Sequence, residues 1–217
     1  MSCSPRKLLD ITLPLSDRTL VFPGDLPPEI QRVSDLKQGN SLTVSRVSMG
    51  CHVGTHVDAP GHFLSQGMMV DELPLSCFYG QALVIGQEGK RIIDKADVEK
   101  KAIPPRHHIF FKTDNGTLLN GQVFLKERCV LSSQAAQYLT TLKPLSIGWD
   151  YYSLDSSENL DAFPAHTILA QANIPVFVCL QLRAIAEDLY EFSGFPIPLE
   201  NVEGAPVRAI LIRPEKE

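Results

Sequence analysis

Three of the chain's six histidines fall within Cys51-His52-Val53-Gly54-Thr55-His56-Val57-Asp58-Ala59-Pro60-Gly61-His62, together with one carboxylate. Imidazole and carboxylate are the side chains most used to hold zinc and manganese, so the cluster predicts a divalent metal site. An isolated histidine is ordinarily a surface or hydrogen-bonded core residue, but three beside an aspartate are hard to read that way. Spacing limits how they can meet. On a helix His52 and His56 share a face, and Asp58 falls nearly opposite. On a strand His52, His56, Asp58 and His62 share a face by parity, yet four residues span roughly 13 Å, too far for two imidazoles on one ion. A compact turn resolves this. Gly54 permits one, and Pro60 stops any helix from continuing.

The flanking sequence supplies elements to hold such a turn. Leu8 to Leu15 reads as a first strand, and Leu42 to Met49 as a strand of poor sidedness that feeds the His-rich turn. Between them, Phe22-Pro23-Gly24-Asp25 with Pro27-Pro28 is a turn-rich loop that carries an aromatic near the surface. Gln81 to Ile85 and His108 to Lys112 are short apolar strands, the second leading into the turn Thr113-Asp114-Asn115-Gly116. His107 and His108 read as structural or exposed. Asp94 can cap a short helix through about Lys101, and Ser132 or Ser133 a second that contains Ala135, Ala136, Tyr138 and Leu139. Leu145 to Trp149 is a strand ending at Asp150, an edge where α/β folds place polar site groups. Pro164-Ala165-His166 opens a helix to about Ala172. Ile174 to Leu182 and Ala205 to Ile212 are strands, and Tyr190 to Pro198 suits an irregular or edge strand. Strands outnumber helices, so the fold class is α/β with a mixed sheet.

At 217 residues and 24.0 kDa the chain suits one domain across residues 1–217. A net charge of −5 gives no support to a nucleic-acid surface, where a basic stripe is expected. Cys3, Cys51, Cys77, Cys129 and Cys179 are odd in number, dispersed and without a C-x-x-C pair. They read as reduced thiols of a cytoplasmic protein. The opening residues form a run too short and too broken for a signal peptide, and no stretch reaches transmembrane length.

His52-Val53-Gly54-Thr55-His56-Val57-Asp58-Ala59-Pro60-Gly61-His62 resembles, position for position, the H-x-G-T-H-x-D-x-P-x-H signature of the cyclase/kynurenine formamidase family. Phe22 to Asp25, Lys112-Thr113-Asp114, Gly148-Trp149-Asp150, Ala165-His166 and Gly204 to Ala209 agree in order, so the resemblance spans nearly the whole chain. It implies an α/β fold with a barrel-like β-core and flanking helices, assembly as a homodimer or homotetramer, and metal-dependent hydrolysis of amides or cyclic amides. His52, His56 and Asp58 then resemble the ligands of a first metal ion, His166 a ligand of a second, and His62 the catalytic acid/base. Phe22 occupies the position of a substrate-stacking aromatic, which implies a small-molecule substrate able to carry an aromatic ring.

The sequence departs from the family at one metal ligand. Two-zinc members carry a bridging glutamate twelve residues after the second-site histidine, and here that residue is Val178. Val176, Val178, Leu180 and Leu182 alternate as one apolar strand face, and Cys179 then points the opposite way. With Asp58 left as the sole carboxylate of the pair, one divalent ion, zinc or manganese, is expected, with a second site weak or absent. Two other readings remain beside the hydrolase. One is a catalytically silent relative that serves as a binding or structural module. The other makes Cys51 a nucleophile with His52 as its base, although adjacent residues on an extended chain point apart.

Overall fold

Along His108–Lys112 every second side chain faces the same way, and both faces are buried, which is how a strand covered on two sides reads. Ile109 and Phe111 pack under the helices, whereas Phe110 points into a second apolar cluster on the other face. That division runs through the whole sheet. The computed structural model describes residues 6–119, 127–156 and 162–213. In chain order its strands are β1 (Lys7–Asp10), β2 (Glu29–Ser34), β3 (Val44–Ser48), β4 (His56–Asp58) and β5 (Tyr79–Gly86), then β6 (Ile92–Ile93). Helix α1 (Lys95–Glu99), β7 (His108–Lys112), β8 (Val130–Leu131), α2 (Ser133–Thr141), β9 (Ser146–Trp149) and α3 (Pro164–Gln171) follow, and the last strands are β10 (Val176–Val178), β11 (Asp188–Ser193), β12 (Gly204–Pro206) and β13 (Ile210–Arg213).

Nine strands form one sheet in the order β1-β13-β11-β5-β7-β9-β10-β4-β12. The β5-β7-β9-β10 centre is parallel and the flanks are antiparallel, so the sheet is mixed as expected. It curls into a half-barrel with few flanking helices. Four strand spacings separate β10 from β11, about 19 Å in a flat sheet. Yet the rings of Phe177 on β10 and Phe192 on β11 lie 5.1 Å apart, and Phe110 lies 4.8 Å from Phe192. These aromatics fill the concave side, while α2 and α3 cover the convex side through Ala135, Ala136, Leu139, Ala165 and Leu169.

The helix starts follow the sequence. The Asp94 carboxylate accepts from the Lys95 amide, the Ser132 hydroxyl accepts from Ala135, and Pro164 occupies the first turn of α3. Several strands are shorter than their apolar runs. The first stops at Asp10, although Ile11 and Leu13 remain buried, and the final run breaks into β12 and β13. The segment around Tyr190 is no edge: β11 lies between β5 and β13, with Tyr190 and Phe192 fully buried.

The run after Ile174 departs furthest from the expected strand. Strand β10 ends at Val178 because Cys179 adopts a left-handed backbone (φ 55°), which costs a non-glycine residue energy and reverses the side-chain alternation. Val176, Val178 and Cys179 therefore join the helix-side cluster, while Leu180 and Leu182 join Phe177 on the concave side. Residues 178 and 179 thus share a cluster instead of facing apart.

Strands β2 and β3 stand outside the main sheet as an antiparallel ribbon with Ile30 opposite Val47. The poor sidedness of β3 has a structural cause, since all five of its residues are exposed. Strand β2 was not expected from the sequence; its residues, EIQRVS, show no clean alternation.

Candidate metal centre

Gly54 has φ +68°, so the chain folds back between His52 and His56. Their ring centroids come within 5.1 Å, far inside the reach of an extended strand. The stretch is a composite of short pieces: a turn through Thr55, then β4 carrying His56 and Asp58 on one face, then a single 3₁₀ turn at Pro60–His62. Pro60 begins that turn and does not merely end a helix. Thr55 pins the turn down, because its buried hydroxyl donates to the Cys179 carbonyl at 2.7 Å and accepts from the Leu13 amide at 2.7 Å.

Asp58 is the hub. Its Oδ1 lies 2.8 Å from His52 Nδ1 and 3.2 Å from His56 Nε2, and its Oδ2 lies 3.9 Å from His166 Nε2 on α3. Each imidazole donates its outward N–H to an acceptor. His56 Nδ1 donates to the Gly54 carbonyl at 2.7 Å, His166 Nδ1 to Asp155 Oδ2 at 2.6 Å, and His52 Nε2 to Glu203 Oε1 at 3.1 Å. Holding one ring nitrogen in this way turns the other inward, which is how proteins orient imidazole ligands. Donor atoms of His52, His56 and Asp58 lie within 4.8 Å of one another, a set of borderline nitrogen and hard oxygen donors that suits zinc or manganese. The residues present therefore fit a divalent ion. His166 stands apart from this tight group, on the second oxygen of Asp58.

Charge in the cluster is balanced by proximity. Burial penalises the Asp58 carboxylate, but the charge of His56 and hydrogen bonds from His52 and His56 hold it well below the usual carboxylate range. Burial likewise disfavours a charged His52, yet Asp58 and Glu203 overcome that and lift the imidazole to about 9. His62 is exposed at the mouth of the site, stacked on His52 with centroids 4.0 Å apart. Loss of water around its ring and the nearby His52 and His166 draw its pKa below the ordinary histidine value, against the raising pull of Asp58 and Glu203.

A cavity of about 210 Å³ opens over the cluster. Phe22, Phe63 and Phe163 wall it, with Phe63 stacked on His166 at 4.6 Å and Phe163 tilted between Phe63 (5.6 Å) and Phe22 (6.4 Å). The structure thus places all six residues singled out for function, Phe22, His52, His56, Asp58, His62 and His166, on one cavity.

Other sequence candidates fall elsewhere. Asp150 is buried away from the cavity, accepting from the Thr113 amide, the Thr113 hydroxyl and the Gly116 amide, and burial nevertheless raises it to about 7. His108 is buried, with Nδ1 against the Ser146 hydroxyl at 2.7 Å. Cys179 joins no donor cluster among the described residues, and burial together with Asp58 and Asp150 pushes its thiol strongly up. A Cys51 nucleophile lacks its base, since both ring nitrogens of His52 face carboxylates. Asp155, Glu203, Phe63 and Phe163 were not anticipated. The proximity of Phe63 to His62 and of Phe163 to Pro164-Ala165-His166 offered a local signal, whereas the carboxylates had none.

Val178 pairs with His56 in the β4–β10 register, so its side chain shares the face of His56, and it is fully buried among apolar neighbours.

Residues 9–156 match the model of the cyclase family, described as "Putative cyclase". The chain is 30% identical over 205 residues to a kynurenine formamidase of Geobacillus thermodenitrificans, covering 94% of this chain and 96% of that protein. A solved potential metal-dependent hydrolase with cyclase activity superposes with a TM-score of 0.85 at 24% identity, covering 98% and 100% of the two chains. Isatin hydrolase A from Ralstonia solanacearum superposes with a TM-score of 0.83 at 21% identity, covering 95% and 92%. At these identities the two superpositions speak to the fold alone.

Proposed function

Because the chain belongs to the cyclase family, we propose that it is a metal-dependent hydrolase that cleaves the C–N bond of an amide, formamide or cyclic amide. The observation that carries this reading is the convergence of three anchored imidazoles on Asp58 beneath an aromatic-walled cavity. His52 through Nδ1, His56 through Nε2 and Asp58 would hold one zinc or manganese ion, with His166 facing the same carboxylate. Such an ion, when bound, supplies Lewis acidity that polarises a carbonyl and acidifies water.

His62 is the general acid/base. Its lowered pKa leaves the ring neutral near pH 7, able to take a proton from water and return it to the leaving nitrogen. Its exposed seat at the cavity mouth lets it exchange protons with solvent. Phe22, Phe63 and Phe163 would seat an aromatic ring, and the cavity volume suits one ring bearing a small substituent. Substrates of the kind named by the relatives, an N-formylated arylamine or an aromatic lactam such as isatin, match those walls.

A single ion is favoured because position 178 is valine, while Asp155 serves His166 and Glu203 serves His52. The exposed ribbon of β2 and β3, with Leu36 and Leu42 near its end, supports a homodimer or homotetramer in which a second copy covers it. A cytoplasmic setting agrees with the free cysteines among the described residues, and no helix among those residues is long and apolar enough to cross a membrane. Elemental analysis of protein purified without chelator, followed by assays of N-formyl arylamines and isatin-type lactams, tests the reading. One zinc or manganese per chain with turnover supports it. Absence of metal uptake even from added zinc and manganese would favour the silent relative.

A further inference from the structure

His52 differs from the other two imidazoles in how little packing holds it. Its side chain is 19% exposed, against 4% for His56 and 2% for His166. It sits in a turn, and its ring could in principle rotate about the side-chain bonds or exchange tautomers. Beyond the Asp58 carboxylate on Nδ1, three contacts prevent this. His62 stacks on one face, Glu203 Oε1 accepts from Nε2–H at 3.1 Å, and Gly204 abuts the ring edge. A Cβ at position 204 would lie 2.5 Å from Cε1 and 2.9 Å from each ring nitrogen, so only glycine lets the backbone come this close.

Glu203 and Gly204 are consecutive, and Gly204 pairs with Asp58 in the β4–β12 register. The Glu203 carbonyl accepts the Ala59 amide at 2.9 Å on the same ladder. The edge strand that pairs with the hub carboxylate therefore also delivers an acceptor for His52 and the flat surface against its ring. From this arrangement we infer that Glu203 is a positioning residue: it holds His52 with Nε2 protonated and Nδ1 directed at the metal, and Gly204 leaves room for that ring orientation. The inference rests on the metal-site reading above. Glu203 itself need not touch the ion, since His52 Nδ1 and Nε2 lie on opposite sides of the ring, toward Asp58 and Glu203 respectively.

Zinc affinity measured by competition with a colorimetric chelator tests this on the full chain, with wild type, Glu203→Ala, Glu203→Gln and Gly204→Ala compared. Glu203→Ala should weaken zinc binding by about 10- to 100-fold with the same saturating stoichiometry, the range found when a carboxylate behind a histidine ligand is removed. Glu203→Gln should recover most of that loss, because its amide oxygen can accept the same N–H. Gly204→Ala should weaken binding with Glu203 intact, by displacing the ring. In ¹⁵N-histidine-labelled zinc protein, His52 should show a protonated Nε2 and a metal-bound Nδ1, a pattern that Glu203→Ala blurs.

Wild-type affinity in Glu203→Ala overturns the inference, and so does a lower saturating stoichiometry, which would make Glu203 a ligand. Wild-type protein that takes up no zinc overturns both this inference and the metal-site reading. Uptake by wild type with Glu203→Ala unaffected overturns this inference alone.

Discussion

The carboxylate of Asp155 both caps helix α3 and orients the histidine that the helix carries. Its Oδ1 accepts from the Ala165 amide at 2.8 Å, and its Oδ2 accepts from the His166 amide at 3.1 Å and from His166 Nδ1 at 2.6 Å. All of this is buried, so the helix terminus and the imidazole depend on one acceptor eleven positions upstream. Removing it strands a buried ring and two amides at once. Asp155→Ala should lower stability by about 3 kcal/mol, read as a shift of the urea midpoint on metal-free protein. An unchanged midpoint would mean that water replaces the carboxylate without cost.

Loss of a ligand and loss of the proton carrier should separate cleanly. His56→Ala removes an inward nitrogen beside Asp58 Oδ1 and should abolish metal binding. His62→Ala should retain the metal and lose turnover, because that ring groups only with His52 and Glu203 at the exposed mouth and not with the buried donors of His56 and Asp58. Full metal occupancy in His56→Ala would overturn the ligand assignment.

The aromatic walls bear on substrate choice. Phe163 bridges Phe22 and Phe63, and deleting one ring contact of this kind costs about 1 kcal/mol. Phe163→Ala should therefore raise KM for an N-formyl arylamine roughly five- to tenfold, and leave an N-formyl alkylamine nearly unaffected. Equal losses for both substrates would mean that the ring shapes the site without touching the substrate.

Buried His108 gives stability an acid dependence of its own. Burial, against the raising pull of the Tyr79 backbone and with a smaller push from the charge of His107, lowers its pKa to about 4. The unfolded chain, near the ordinary histidine value of 6.5, takes up a proton that the folded chain refuses as the pH falls from 6.5 toward 4. Stability is therefore lost on acidification through that window. The His108 share between pH 7 and pH 5 amounts to about 2 kcal/mol. His108→Gln should flatten the pH dependence of the urea midpoint by that amount, and parallel curves would show that His108 does not titrate as its burial demands.

Much of the centre could be read locally. Residues 56 and 58 share a face on any strand, and Gly54 allows the reversal that returns His52 to them. The helix caps at Asp94 and Ser132 and the alternation of β7 are equally short-range, because backbone sterics, capping and side-chain parity act over a few residues. The aromatic at position 22 and the histidine at position 166 were reached only through resemblance, since nothing in their own neighbourhoods ties them to residue 58.

Strand register and burial decided the rest. Asp155 and Glu203 became partners of His166 and His52 because α3 packs over the sheet and β12 pairs with β4. Those pairings reflect the burial of apolar side chains summed across nine strands, a global quantity with no signature near either carboxylate. The break at Cys179 has the same origin: an apolar run predicts continued alternation, but the Thr55 hydroxyl and the Tyr151 carbonyl hold that residue in a left-handed backbone. Types and spacing of nearby residues thus establish which groups can bind a metal and how His56 is turned, and only packing between distant segments establishes which nitrogen of His52 and of His166 faces it.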